Sequence, residues 1–280
     1  MDLILATSPT DTYISFFLSR PTWDVWNLFL LGMARIVPII AIAPFLGGKA
    51  IPDPVKIGFG IALTPLFLPF LIVHAQSGPL NVDIIFFLLL AKEALIGTLL
   101  GILIAMPFYY SQAAGTLIDH QRGSQSLQVT DPATQIQASP TGLLYNNVMI
   151  VTFFAIGGPI LFFQGVYSSY QVLPADQFVD PALFSLDAPL WNTLLKYFTT
   201  LITISLQLSA PAVIAILMSD LFLGIANRMA PQVQISFLLW SLKAFIGILI
   251  LWASWWLVIS QMSSQGLTWI KSVNKLIETF

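Results

Sequence analysis

Long runs of apolar residues alternate with short polar connections along this chain of 280 residues. Six of these runs approach the roughly 20 residues that a helix needs to cross a bilayer. The runs are Val25–Leu46, Ile57–Val73, Val82–Met106, Leu143–Val166, Leu190–Met218 and Val233–Ile259. We therefore predict an all-α polytopic membrane protein, with about six hydrophobic helical stretches in a single domain over residues 1–280.

Proline and glycine interrupt several of these apolar runs. The interruptions are Pro38, the pair Pro65 and Pro69, the "GGP" at Gly157–Pro159, and Pro211. Proline removes an intrahelical hydrogen bond and bends a helix. At membrane depth such a break is tolerated where protein or a water-filled cavity surrounds it. A single proline is also compatible with a merely bent helix, but their number favours helices broken into hairpin-like pairs.

Composition supports the membrane assignment and narrows the function. The chain is 57% hydrophobic and only 9% charged, against about 25% charged residues in a soluble domain. Its net charge is −2 and no basic segment is present, so we expect no nucleic-acid partner. Cysteine is absent from the sequence, which excludes disulfides and thiolate metal sites.

Five charged residues fall inside apolar runs, where an unpaired charge costs about 2.5–3.5 kcal/mol on insertion scales. They are Arg35, Lys92, Glu93, Lys196 and Lys243. Lys92 and Glu93 are adjacent and leave a helix on different sides, so we expect them to be poor partners for each other. We predict instead that Glu93 pairs with Arg35 or Lys243 on another helix. A structural or inter-subunit ion pair is the favoured interpretation, and a proton or cation transport site at Glu93 is the alternative.

Three other patterns predict contacts between helices. Gly97 and Gly101 repeat at small-xxx-small spacing, which favours close packing against another helix. A polar stripe at helical spacing, which must face other helices or a wet path, is formed by Lys196, Thr199, Thr200, Thr203 and Gln207. Residues 266–280 form an amphipathic pattern, which favours a surface or interfacial helix over a specific docking helix.

Motifs for catalysis are missing from the sequence. His74 and His120 are far apart without metal-ligand spacing, and no GxSxG, HExxH or P-loop motif is present. We therefore expect no enzyme activity, no cofactor and no metal. The unusual segment is "GSQSLQVTDPATQIQASPTG", residues 123–142, whose only charge is Asp131. It is too polar to face lipid and poorly charged for an ordinary solvated loop.

Four segments in order resemble a known family. "GTLIDHQRGSQSLQVTDPATQIQASPTG" is similar to the pattern G-x-x-I-x-x-Q-x-G-x-S, then D-P and S-P-x-G, of the T subunit of type III secretion export apparatuses, whose flagellar relative is FliR. Gln125 stands where that pattern has serine. "LGIANRMAPQVQI", "IPDPVKIGFGIAL" and "KEALIGTLLG" also resemble the family, and the last, with "SPTG", favours a virulence-type over a flagellar system.

The resemblance implies a non-enzymatic, multi-pass subunit of the export gate in the bacterial inner membrane. Its implied partners are R (FliP-like) and S (FliQ-like) subunits and further export apparatus proteins, with membrane lipid around them and unfolded secreted proteins as the substrate. The closing role of the loop after the third apolar run would carry onto Gly115, Gln121, Gly123, Asp131, Pro132, Ser139 and Gly142.

A structural or inter-subunit role is expected at the second signature and at the intramembrane ions: Asn227, Arg228, Pro231, Gln232, Arg35, Lys92, Glu93 and Lys243. The runner-up hypothesis is a secondary transporter of a small solute or ion, with Glu93 and Arg35 at a midplane site. A third is a membrane assembly factor without a pore.

Overall fold

A computed structural model describes residues 21–46, 51–75, 82–123, 129–130, 137–179, 189–229 and 235–277. Over these residues the chain is almost entirely α-helical, with one short 3-10 turn at Pro44–Leu46 and two strands of two residues each. The helices are α1 (Thr22–Ile42), α2 (Asp53–His74), α3 (Ile84–Arg122), α4 (Pro140–Ala155), α5 (Gly158–Val172), α6 (Pro189–Met229), α7 (Ile235–Ala253) and α8 (Trp255–Ile277). The strands are β1 (Val129–Thr130) and β2 (Gln137–Ala138). The predicted all-α class is therefore confirmed.

Helix length and hydropathy confirm a polytopic membrane protein. Three helices, α1, α2 and α3, and residues Trp191–Met229 of α6 are each long and apolar enough to cross a membrane. The number rises to six if α4 with α5, and α7 with α8, each count as one bent span. This agrees with the six apolar runs of the sequence.

Two helices are much longer than the apolar runs that predicted them. The third run was expected to end at Met106, but α3 has 39 residues and continues through Pro107 to Arg122. The fifth was expected to end at Met218, but α6 has 41 residues and ends at Met229. At 1.5 Å per residue each is roughly 60 Å long, about twice the thickness of the hydrocarbon core.

The helices are interrupted at some of the predicted places and continuous at others. Pro38, Pro65, Pro69 and Pro211 all lie inside continuous helices, as the interpretation of a single proline as a bend allows. One missing backbone hydrogen bond leaves the rest of the helical ladder intact. The expected interruption at "GGP" is present between α4 and α5, where Gly157 adopts φ 75°. A further bend of 59° separates α7 from α8 near Ser254, without a proline or glycine to signal it.

The chain divides into two compact units. The first unit comprises Met1–Ala105, Ile160–Ala188 and Lys271–Phe280, and the second comprises Met106–Pro159 and Pro189–Ile270. In the first unit α1 packs on α2, and α1 buries Leu28, Leu31, Ile36 and Ile39 on one side. In the second unit α6 packs on α7. The rings of Phe108 and Phe153 also pack there edge to face, with 5.4 Å between their centroids.

The amphipathic segment at the C-terminus forms the end of α8 as far as Ile277, and residues 278–280 lie outside the described part of the chain. In the first unit, Val273 and Ile277 are buried while Lys271 and Lys275 are exposed. The Asn274 side-chain amide donates a hydrogen bond to the carbonyl oxygen of Leu161 on α5, at 3.1 Å. The apolar side of this segment is therefore covered by protein.

Candidate functional site

The polar segment 123–142 ends at the start of α4, in the second unit. Ser139 is the N-cap residue of α4, and its hydroxyl oxygen accepts a hydrogen bond from the backbone N–H of Gly142 at 3.0 Å. Pro140 follows at the first helical position, where its missing N–H costs nothing. The sequence Ser-Pro-Thr-Gly therefore sets the start of α4 locally.

A single buried carboxylate joins this helix start to the end of α3. Asp119 is 3% exposed. One of its oxygens accepts hydrogen bonds from the backbone N–H of Thr141 at 2.8 Å and from the Ser139 hydroxyl. Its other oxygen accepts from the Thr141 hydroxyl at 2.7 Å and lies 3.2 Å from Nη2 of Arg122. We call Asp119, Arg122, Ser139 and Thr141 the loop clamp.

The two helix dipoles explain why a carboxylate suits this point. Asp119 lies in the last turn of α3, where the helix dipole disfavours negative charge. The same carboxylate lies at the first turn of α4, where the dipole and the free backbone N–H groups favour an anion. Arg122 adds a positive charge at the end of α3, where it is favoured. The start of α4 therefore stabilises the Asp119 carboxylate at a position where α3 alone would disfavour it.

Glycine lets the two helix backbones touch beside the clamp. A Cβ atom on Gly115 would collide with the backbone of Thr141 and would lie 2.6 Å from Cα of Gly142. A Cβ atom on Gly142 would lie 2.9 Å from the carbonyl oxygen of Gln112 and 2.7 Å from Oγ1 of Thr116. A backbone atom cannot rotate away as a side chain can, so these two positions require glycine for steric reasons.

Between the clamped ends, β1 and β2 pair as a short antiparallel ladder. Val129 is opposite Ala138, and Thr130 is opposite Gln137. Gly123, at the end of α3, has φ 76° with open space around its Cα. This left-handed conformation is one that glycine adopts without strain.

The structure therefore brings together only some of the residues expected at the loop. Gly115, Ser139 and Gly142 meet at the clamp. Gln121 and Gly123 are exposed at the end of α3. Asp131 and Pro132 lie outside the described residues.

Three members of the loop clamp were not identified from the sequence: Asp119, Arg122 and Thr141. Asp119 and Arg122 fall on variable positions of the family pattern, and Thr141 is the variable residue of S-P-x-G. One local signal was present. A carboxylate in the last turn of a helix is unfavourable by itself, so it suggests a tertiary partner.

A cavity of about 580 Å³ lies beside the clamp, between α3 and α6 of the second unit. One wall is a single face of α3 and carries Tyr109, Gln112, Thr116 and His120, while α6 contributes Leu201, Ile202, Ser205 and Leu206. Thr116 also borders Gly142. The base of the polar segment is thus adjacent to a cavity with polar groups along one wall.

The polar stripe on α6 lies largely at the surface of the described chain. Lys196, Thr199, Thr203 and Gln207 are exposed. The hydroxyls of Thr199, Thr200 and Thr203 donate to carbonyl oxygens four residues earlier, at 2.8 to 2.9 Å. These hydroxyls are satisfied within their own helix, so the expectation that the stripe faces other helices or water stays a prediction.

Buried ions form a second cluster, in the first unit. Arg35 on α1 makes two hydrogen bonds to Glu93 on α3, with Nε 2.5 Å from Oε2 and Nη2 2.8 Å from Oε1. Arg35 also donates to the carbonyl oxygens of Ser169 and Leu173 at the end of α5, at 2.8 and 2.7 Å. The guanidinium carbon lies 4.0 Å from the ring centroid of Tyr170. Glu93 thus pairs with one of its two predicted candidates.

The expectation that Lys92 and Glu93 are poor partners was wrong. Nζ of Lys92 lies 2.7 Å from Oε1 of Glu93. The same ammonium donates to the carbonyl oxygens of Pro174, Ala175 and Gln177, at 2.9, 3.2 and 2.7 Å. The four-carbon stem of lysine reaches around the helix, and the carbonyls after α5 hold the ammonium beside the carboxylate.

Glycine again sets the distance between the helices that carry these ions. A Cβ atom on Gly97 would collide with the carbonyl oxygen of Arg35 and lie 3.0 Å from its Cα. On Gly101 it would lie 3.2 Å from Cβ of Ile42. The small-xxx-small face of α3 therefore lies against α1.

The remaining predicted positions are separate from both clusters. Lys243 on α7 lies 2.6 Å from Oδ1 of Asp220 on α6, so it is not the partner of Glu93. Asn227 and Arg228 are exposed at the end of α6. Pro231 and Gln232 lie outside the part of the chain that the structure describes.

Residues 26–267 match the family described as "Bacterial export proteins, family 1". The chain is 30% identical over 214 residues to the flagellar biosynthetic protein FliR of Bacillus subtilis (strain 168), covering 76% of this chain and 80% of FliR. It is 27% identical over 224 residues to the surface presentation of antigens protein SpaR of Shigella flexneri, covering 78% and 80%. It is 30% identical over 165 residues to the Yop proteins translocation protein T of Yersinia pestis, covering 59% and 61%.

Proposed function

The chain belongs to the bacterial export proteins, family 1, and we propose that it is the T subunit of a type III protein export gate, with residues 123–142 as the element that closes the conduit. At the coarser level it is a multi-pass membrane component of an export apparatus, since its relatives are named as flagellar and translocation proteins. We also propose that the chain lies in the bacterial inner membrane.

The loop clamp is the observation that carries the closing role. The polar segment begins at the end of α3 and ends at the start of α4, and hydrogen bonds from Ser139 and Thr141 to Asp119 hold these two helix ends together. A segment held at both ends covers a limited area, which suits a closing element. Its single charge at Asp131 lets polypeptide segments of either sign pass without strong electrostatic trapping.

Partner subunits are supported by the apolar surface of α6. Trp191 and Met229, near its two ends, are both exposed and lie roughly 57 Å apart along the helix axis. A hydrocarbon core of about 30 Å covers only part of such a surface. We propose that R (FliP-like) and S (FliQ-like) subunits cover the rest, and that unfolded secreted proteins pass through the shared conduit.

The proposed mechanism is passive. The subunit helps to enclose the conduit and holds it shut at rest, and the energy for export comes from other components. The buried ion cluster then serves as a joint between helices and does not move protons, because both Glu93 oxygens are engaged by Arg35 and Lys92.

Conductance of the assembled apparatus tests the closing role. In one variant residues 128–137 are deleted, and in a matched control the same ten residues are replaced by a glycine-serine linker of equal length. We expect the deletion to leak small ions while assembly is retained. The linker variant shows whether length or sequence closes the conduit. Unchanged membrane conductance in an assembled deletion variant would overturn the closing role.

Purification in a gentle detergent tests the partners. We expect the tagged chain to co-purify with at least two other small membrane proteins and to transport no solute by itself. Solute uptake by the purified chain alone, abolished by Glu93→Gln, would instead support a secondary transporter.

A further inference from the structure

We infer that Asp119 is a positioning residue that keeps the end of α3 and the start of α4 together both when the conduit is closed and when it is open. This inference rests on the proposed closing role of residues 123–142. It means that opening does not separate the two helix ends. The conformational change that opens the conduit takes place elsewhere, and the contact between the end of α3 and the start of α4 is kept.

The arrangement of donors around the carboxylate supports this role. Thr141 N–H and the Ser139 hydroxyl donate to one oxygen, and the Thr141 hydroxyl and Arg122 approach the other. All of these groups come from the last turn of α3 or the first turn of α4. Because hydrogen bonds to an ionised carboxylate are about twice as strong as neutral ones, separating the helix ends would expose a buried charge together with several donors.

Backbone contact makes the same junction resistant to sliding. A Cβ atom on Gly115 would collide with the backbone of Thr141, and one on Gly142 would lie 2.9 Å from the carbonyl oxygen of Gln112. The stem of Arg122 lies against Gly247 of α7, where a Cβ atom would be 2.8 Å from Cγ of the arginine. Steric contact and hydrogen bonding thus hold the junction from different sides, and Asp119 supplies the polar part.

Asparagine cannot reproduce the function of Asp119 in either orientation of its amide. If the NH₂ group replaces one oxygen, it faces the N–H of Thr141. If it replaces the other, it faces Nη2 of Arg122. Two donors face each other in both cases, and the attraction to Arg122 is reduced to that of a neutral group.

The first measurement is ion leak through the assembled apparatus with Asp119→Asn. We expect leak to rise about tenfold, since the loss of charged hydrogen bonds changes an equilibrium by about that factor. Thr141→Val keeps the shape and the backbone N–H but removes the hydroxyl donor, so we expect a smaller rise. Asp83→Asn is the matched control, because it makes the same chemical change at an exposed residue of the first unit, and we expect wild-type leak.

A crosslink then separates positioning from other effects of the carboxylate. Because the chain contains no cysteine, Asp119→Cys with Thr141→Cys places the only two thiols where the native side chains are 2.7 Å apart. We expect the reduced double variant to leak like Asp119→Asn. Joining the thiols by oxidation, or by a short bifunctional thiol reagent, is expected to restore closure and to leave protein export at the wild-type rate.

The outcomes separate this inference from the proposed function. Export blocked by the crosslink means that the helix ends must separate, and wild-type leak with Asp119→Asn or the reduced double variant means that the clamp does not position the segment. Either result overturns the inference and leaves the closing role intact if deletion of residues 128–137 still leaks. If the deletion does not leak, the closing role itself is wrong.

Discussion

Arg35 and Glu93 lie 58 positions apart in the sequence and meet through two parallel hydrogen bonds of 2.5 and 2.8 Å, with 0% of either side chain exposed. This bidentate geometry matches the fork of the guanidinium to the two carboxylate oxygens. Arg35 also donates to two carbonyl oxygens near the end of α5, and Glu93 contacts Lys92. The pair therefore joins α1, α3 and α5 of the first unit.

Removing one partner of this ion pair should destabilise the first unit strongly. Glu93→Gln leaves Arg35 buried without a counter-charge, and loss of one partner of a buried pair costs about 3–5 kcal/mol. We expect a clear fall in the thermal unfolding midpoint of the chain in detergent. The double variant Arg35→Met with Glu93→Leu should recover part of the loss, because apolar side chains need no desolvated partner. A double variant no more stable than the single one would contradict this account.

Lys92 should contribute less, through the carbonyl groups that follow α5. Lys92→Met keeps the apolar stem but removes three hydrogen bonds to the carbonyls of Pro174, Ala175 and Gln177. We expect a loss of about 1–3 kcal/mol in unfolding free energy and faster proteolysis after residue 173. Lys196→Met is the control, since Lys196 is exposed on α6. Equal protease sensitivity in the two variants would show that Lys92 does not hold this segment.

Two helical glycines should respond differently to alanine, one with a loss of stability and the other without a loss. Gly97→Ala places a methyl group against the backbone of Arg35, which cannot rotate away, so we expect α1 and α3 to move apart and stability to fall. Gly58 in α2 has nothing within 4 Å of the added Cβ. Gly58→Ala should therefore be neutral or stabilising by up to about 1 kcal/mol, because glycine loses more backbone entropy than alanine in a helix. Thermal unfolding of both variants checks the sign.

Gly115 beside the loop clamp and Gly123 at the end of α3 should also respond differently to substitution. Gly115→Ala forces the backbones of α3 and α4 apart at the loop clamp, so we expect poor assembly or a leaking apparatus. Gly123→Ala meets no neighbour but keeps a residue at φ 76°, which costs roughly 1–2 kcal/mol of strain. Gly123→Asn should be milder, because asparagine tolerates the left-handed region better. Similar leak from Gly115→Ala and Gly123→Asn would show that contact between α3 and α4 is unimportant.

Some of the site could be deduced from residue spacing. The glycines at 97 and 101 predicted a close helix contact, and Arg35 was one of two candidates for Glu93, because a buried charge in an apolar run demands a partner. The prediction for Lys92 was wrong because it considered only the direction in which the side chain leaves the helix. The flexible four-carbon stem of lysine decides the final position of the ammonium group.

Hydrophobic runs suffice to predict that the spans are helical, because a backbone in lipid must satisfy its hydrogen bonds within its own segment. The ends of α3 and α6 were predicted too early, because both helices continue through polar residues beyond the end of the apolar run. Asp119 is the clearest example of a residue whose role the sequence pattern did not predict. Its position in the last turn of α3 is locally unfavourable, and only the approach of the Ser139 and Thr141 donors from another helix makes it the centre of the loop clamp. Such contacts depend on where distant parts of the chain meet, and periodicity contains no information about that.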